Sequence, residues 1–150
     1  MKRYVYHLYV VCLVVSFVGL VSCSKSDPAP ASPVVGRWTL NKGVLSGFPT
    51  SATSNVNGAG IDLYYFESYG STIDIFSDNT FNENYRSAVV DDATGTWDFS
   101  SNTLTLKYDA GGQDTYTYAK NKNIEELTIT TPAPYTLGTA VGKVQLVYRK

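Results

Sequence analysis

The residues able to do chemistry in this chain are tyrosines and carboxylates. Twelve of the 150 residues are tyrosine. Tyr85, Tyr108, Tyr116 and Tyr118 stand in segments of alternating polarity. If they face inward, their rings would line a cavity and their hydroxyls would orient an amphipathic ligand. The plainer alternative is that tyrosine is a good strand residue and covers sheet surface. Glu67, Asp74, Glu83 and Asp98 are carboxylates of the kind that a glycosidase uses in pairs. Their spacing forces no two together, although hairpin pairing could place Asp74 near Glu83 or Asn84, and they are read as surface charge. Glu125 and Glu126 are adjacent on a strand and point to opposite faces. Asp91-Asp92, with Asp78 in another turn, falls short of the six to eight oxygens that calcium needs and reads as solvated turn acid. The only histidine, His7, and the only cysteines, Cys12 and Cys23, fall within the first 23 residues. The remainder therefore has no Cys/His zinc site, imidazole base, Ser-His-Asp or Cys-His nucleophile, or His-ligated haem. No catalytic residue, metal site or cofactor is expected, and the protein is not expected to be an enzyme.

The elements that position these residues begin after a leader. Lys2 and Arg3 precede an almost wholly apolar run over 8–21, as in a secretory signal. An uncleaved membrane helix is the alternative, since the run counted from Tyr4 is roughly long enough to span a ~30 Å hydrocarbon core. Small residues and a polar stretch at its end favour cleavage. Leu20-Val21-Ser22-Cys23 resembles the lipobox of bacterial lipoprotein signal peptides. That resemblance implies cleavage before Cys23, a diacylglycerol carried on its sulfur and stable tethering by two or three acyl chains (palmitate among them). It also implies residence at the outer membrane, with the periplasmic and cell-surface sides both open; Asp27, alone beside Lys25, is a weak export signal. Residues 1–22 would then be the signal and 23–33 the lipidated cysteine with a proline-rich linker. Residues 34–150 would be the domain.

About 128 residues would remain after cleavage, enough for one ordinary domain without disulfide staples. Loss of Lys2 and Arg3 takes the formal net charge from −1 to about −3. No Lys/Arg cluster appears, so nucleic acid is not expected as a partner.

The domain reads as short strands. Trp38 and Leu40 alternate with polar neighbours near its start. Periodicity is lost over 45–60, which reads as a long loop. Strand patterns follow over 61–66, 71–77, 80–87, 95–99, 103–108, 114–120, 124–130 and 143–150. Asp78-Asn79, Ser100-Ser101-Asn102, Asp109 to Gly112 and Asn121-Lys122-Asn123 separate several of them as turns. The prolines and glycines of 131–142 predict a loop. This pattern predicts an all-β fold: a small antiparallel up-and-down barrel of about eight strands, since closure removes sheet edges.

Gly36-Arg37-Trp38 resembles the Gly-x-Trp of lipocalins. Arg149 on the last strand resembles the arginine that such barrels pack across that tryptophan. Gly95-Thr96-Trp97, Thr103-Leu104-Thr105-Leu106 and Ser77-Asp78-Asn79-Thr80-Phe81 are similar to the lipocalin-like domains of Bacteroidota lipoproteins. The resemblance implies a barrel floor plugged by Trp38 with the Arg149 guanidinium stacked on its indole, a contact worth ~0.5–2 kcal/mol. Trp38 as plain core and Arg149 as a solvated charge is the alternative. The expected function is an envelope lipoprotein whose barrel binds a small apolar or amphipathic ligand through Tyr85, Tyr108, Tyr116 and Tyr118. The runner-up is a filled barrel serving as a structural or protein-interaction module.

Overall fold

The structure, a computed structural model, describes residues 31–50, 55–86 and 91–150. The leader, Cys23 and most of the linker lie outside the described residues. Alternation of apolar and polar side chains, broken by residues that accept left-handed backbone, produces a meander. Its strands are β1 (Gly36–Ser46), β2 (Gly60–Ile61), β3 (Ser71–Ile75), β4 (Thr80–Tyr85), β5 (Ala93–Ser100), β6 (Thr103–Tyr108), β7 (Gln113–Asn121), β8 (Ile124–Ile129), β9 (Ala133–Leu137) and β10 (Ala140–Arg149). All pairings are antiparallel, and β1 closes on β10 to complete an eight-stranded barrel of β1, β3–β8 and β10. The barrel expected from the sequence is therefore the observed fold. Two short strands add to it: β2 pairs antiparallel beside Gly43 and Val44 of β1, and β9 forms a hairpin with the start of β10.

The turns follow side-chain chemistry. Asn79 holds φ 68° between β3 and β4, and the Asp78 carboxylate accepts from Thr80 N–H and Oγ1. Lys122, at φ 54°, turns β7 into β8. A bulge between Leu40 and Lys42 shifts the register of β1 against β10, which bends β1 so that it pairs along nearly the whole of β10.

Three segments depart from the sequence reading. Residues 61–66 are not a strand: β2 ends at Ile61 and a one-turn helix, α1 (Leu63–Glu67), follows. Asp62 caps it by accepting from the N–H groups of Tyr64 and Tyr65, and Ser68 ends it in the left-handed region. Leu63 alone of its residues is buried. The 131–142 segment is not a loop but the β9–β10 hairpin. Pro134 is tolerated there because β9 ends the strand order and pairs on one side only. The 45–60 loop starts later than expected, since β1 runs to Ser46. Residues 51–54 lie outside the described part, but the flanks are tied: the Asn57 side chain accepts from Phe48 N–H and donates to Phe48 C=O.

The interior has a floor and a mouth. Val34, Trp38, Ile73, Ile75, Phe81, Trp97, Leu104, Leu106, Tyr116, Leu127 and Tyr148 form the main buried cluster. Leu45, Phe48, Leu63 and Val144 form a second around the far end of β1 and β10, beneath α1.

Trp38 is wholly buried, and its indole N–H donates to Val34 C=O at 2.7 Å. Tyr118 meets it edge-on, with ring centroids 6.2 Å apart, and Phe99 meets Tyr118 in the same way at 5.8 Å. The cation over the indole is Lys150, not Arg149: its ammonium lies 5.0 Å from the ring centroid and donates to Pro33 C=O. The expected Trp38–Arg149 pair is corrected by strand alternation. Tyr148 takes the inward position on β10, which sends Arg149 outward to pair with Glu126 at 2.9 Å.

Candidate functional site

The mouth carries the groups with chemical capacity. Strand alternation on β4 points Phe81, Glu83 and Tyr85 inward. Glu83, read from the sequence as surface charge, is 2 % exposed. The hairpin register sets Glu83 opposite Ile73 and Asp74 opposite Asn82, so Asp74 faces out and pairs with Arg37. No Asp74–Glu83 pair forms.

Glu83 sits in a ring of hydroxyls. Tyr108 Oη lies 3.0 Å from Glu83 Oε2 and 2.9 Å from Asp114 Oδ2. Tyr148 Oη is 2.7 Å from Ser71 Oγ and donates more weakly to Glu83 Oε1 at 3.4 Å. Tyr108 has a single hydroxyl proton and can donate to only one of the two carboxyls. The other contact requires a protonated carboxyl that donates to Tyr108. Glu83 is the group to hold that proton: burial raises its pKa, outweighing the hydrogen bonds from Tyr85, Tyr108 and Ser71 that lower it. Burial beside Glu83 also raises the phenols of Tyr85, Tyr108, Tyr116 and Tyr148, so all four are neutral hydroxyls at neutral pH.

This carries a stability consequence of definite sign. A carboxyl that binds its proton more tightly in the native state stabilises the fold below its unfolded pKa. That stability is lost as pH rises through the native value. Asp74, Asp78 and Glu125 are shifted down by their partners and act in the opposite direction, losing stability in acid. Glu83→Gln keeps the shape and stays uncharged. It is expected to gain stability relative to the unsubstituted protein as pH is raised from about 4 to about 8, measured by urea unfolding at each pH.

Among the described residues, three clefts lie toward this end of the barrel. The largest of the three, about 530 Å³, is walled by Tyr85 and Tyr108 with Asp91, Asp92, Asp109 and Asp114. A second, of about 410 Å³, lies across Tyr85 toward Tyr64 of α1 and Ser71. The third, about 360 Å³, runs under α1 between Tyr69, Tyr135 and Leu146. Tyr135 Oη donates to Glu67 at 2.6 Å and Arg86 stacks over Tyr64 at 5.2 Å, which ties α1 to its neighbours.

Of the four tyrosines chosen from the sequence, Tyr85 and Tyr108 come together on the cleft of about 530 Å³. Tyr116 lies buried below, edge-on to Tyr148 at 5.8 Å. Tyr118 is at the floor against Trp38, away from the others. Sequence reasoning missed Glu83 and Asp114 as interior groups. The signal was present: each stands two residues from an aromatic side chain on the inward register of its strand.

No family model matches the chain, nor does any curated protein.

Proposed function

We propose that this is a lipid-anchored envelope protein whose lipocalin-like barrel receives a small amphipathic molecule at its mouth. The observation that carries the reading is the aromatic cleft of about 530 Å³ at Tyr85 and Tyr108, backed by the Glu83–Tyr108–Asp114 chain. Its size falls within the range of small-molecule sites, and it offers what an amphipathic ligand needs: ring faces for apolar parts and oxygens for a polar head. The floor is filled by Trp38, Phe81, Trp97 and Leu104, so the ligand is held near the rim, not swallowed to the base.

Native mass spectrometry of the full chain purified from its own cells tests this reading. A co-purifying small molecule is expected, and a spectrum of protein alone counts against it. The anchor rests on Leu20-Val21-Ser22-Cys23. Metabolic labelling with palmitate is expected to mark the protein, and Cys23→Ser is expected to abolish the label. Label retained in that variant overturns the anchor.

A second reading, a filled barrel used as a protein-interaction module, is favoured by Tyr64, Tyr65 and Phe66, three consecutive exposed aromatics on α1. Cross-linking in cells that captured a partner through α1, together with an empty native spectrum, would support it over the first.

A further inference from the structure

The acids of this domain are treated in two ways. On the barrel wall and at the floor they are matched by cations: Asp74 with Arg37, Glu125 with Lys120 and Lys150, Glu126 with Arg149. At the mouth they are not. Among the described residues, no Lys, Arg or His lines the cleft of about 530 Å³, while four aspartates and two tyrosines do. Behind them lies Glu83, buried and protonated, which adds no charge of its own. Asp92 and Asp109 spend one oxygen each on Tyr85 N–H and Thr94 Oγ1. Asp114 has its Oδ2 on Tyr108 and faces the cleft.

A cavity so charged favours a cation. Among the described residues no group of three or more acidic, His or Cys side chains converges to hold a metal ion. Tyrosine faces instead suit an organic cation, whose attraction to the ring quadrupole adds to its pairing with carboxylate.

Resting on the reading of the mouth as a ligand site, we infer that this cleft takes an organic ammonium, its nitrogen donating to Asp114 and its carbon skeleton lying against Tyr85 and Tyr108. The buried Glu83 carboxyl positions the site through Tyr108: the hydroxyl accepts from the carboxylic acid and donates to Asp114, which holds the Asp114 carboxylate facing the cleft.

Calorimetric titration of the full chain in detergent with three probes of like shape tests the inference: phenethylamine, phenethyl alcohol and hydrocinnamate. The ammonium is expected to bind about ten-fold or more tighter than the alcohol, the difference one charge-assisted hydrogen bond supplies, and the carboxylate weakest of the three. Asp114→Asn, which preserves size and the contact with Tyr108, is expected to cut the ammonium's advantage over the alcohol several-fold, with Asp91, Asp92 and Asp109 keeping the remainder. If alcohol and ammonium bind equally, or if the variant leaves the preference intact, the ammonium assignment falls while the mouth remains a ligand site. If no probe binds but a molecule co-purifies with the protein, the assignment falls alone. If no probe binds and nothing co-purifies, both fall. Should the variant fail to fold, the ranking of the three probes on the unsubstituted chain decides.

Discussion

Trp38→Ala is expected to destabilise the barrel by about 3–5 kcal/mol, the range for removing a large aromatic from a packed core. The indole is wholly buried, and it joins three parts of the floor that are distant in sequence. Its N–H holds Val34 C=O, its edge receives Tyr118, and its face carries the Lys150 ammonium. Truncation leaves a cavity, an unsatisfied Val34 carbonyl and a lysine without its ring. Guanidinium unfolding followed by near-ultraviolet circular dichroism measures the loss, and a change under about 1 kcal/mol would remove Trp38 from its place as floor plug. Arg149→Ala is a useful companion, since Arg149 faces outward to Glu126 and is expected to leave the floor intact.

Gly95→Val is expected to cost about 3 kcal/mol, at the upper end of overpacking effects. A Cβ at this position would lie 2.0 Å from Lys107 C=O and 2.8 Å from the Phe81 ring. The first neighbour is backbone of the paired strand β6 and cannot turn aside. The second is a wholly buried ring packed edge-on against Tyr108, with centroids 5.4 Å apart. The substitution therefore strains β5–β6 pairing and displaces the ring that underlies the mouth. Gly70→Ala is the contrasting control: its added carbon meets nothing nearer than Arg86 Cβ at 3.6 Å, and a change within about 0.5 kcal/mol is expected. Equal losses in the two variants would contradict the close approach at Gly95.

The barrel was legible because its strands are half-buried and alternate cleanly. Leu104, Leu106 and Tyr108 against Thr103, Thr105 and Lys107 became β6, and Trp97 with Phe99 became the inner face of β5. Where alternation failed, so did the reading. Residues 61–66 are apolar on both faces, and periodicity over so short a run does not separate strand from helix. The deciding feature was Asp62 as a cap. Pro132, Pro134 and Gly138 read as loop because a proline disfavours an interior strand. They do not bar an outermost one, and Gly138 at φ 62° supplies the tight turn into β10.

The site was half legible. Aromatic content pointed to tyrosines, and two of the four sit on the cleft. Depth was not readable, because Tyr118 and Tyr108 share strand character and inward direction while one lies at the floor and the other at the rim. Glu83 was misread because charge is ordinarily outside; it is inside because three tyrosines and a serine surround it with hydroxyls. The Arg149 assignment failed by a single residue at the end of β10, where Lys150 leaves the strand and folds back over the indole.

In the proposed function the acidic, tyrosine-walled rim is the working part of this molecule and the floor is structural. Ring-labelled tyrosine magnetic resonance of the full chain, titrated with phenethylamine and then with phenethyl alcohol, tests it most directly. The Tyr85 and Tyr108 signals are expected to move while Tyr118, packed against Trp38, stays fixed. Movement at Tyr118 with Tyr85 and Tyr108 unchanged, or no movement with either probe at saturating concentration, would contradict it.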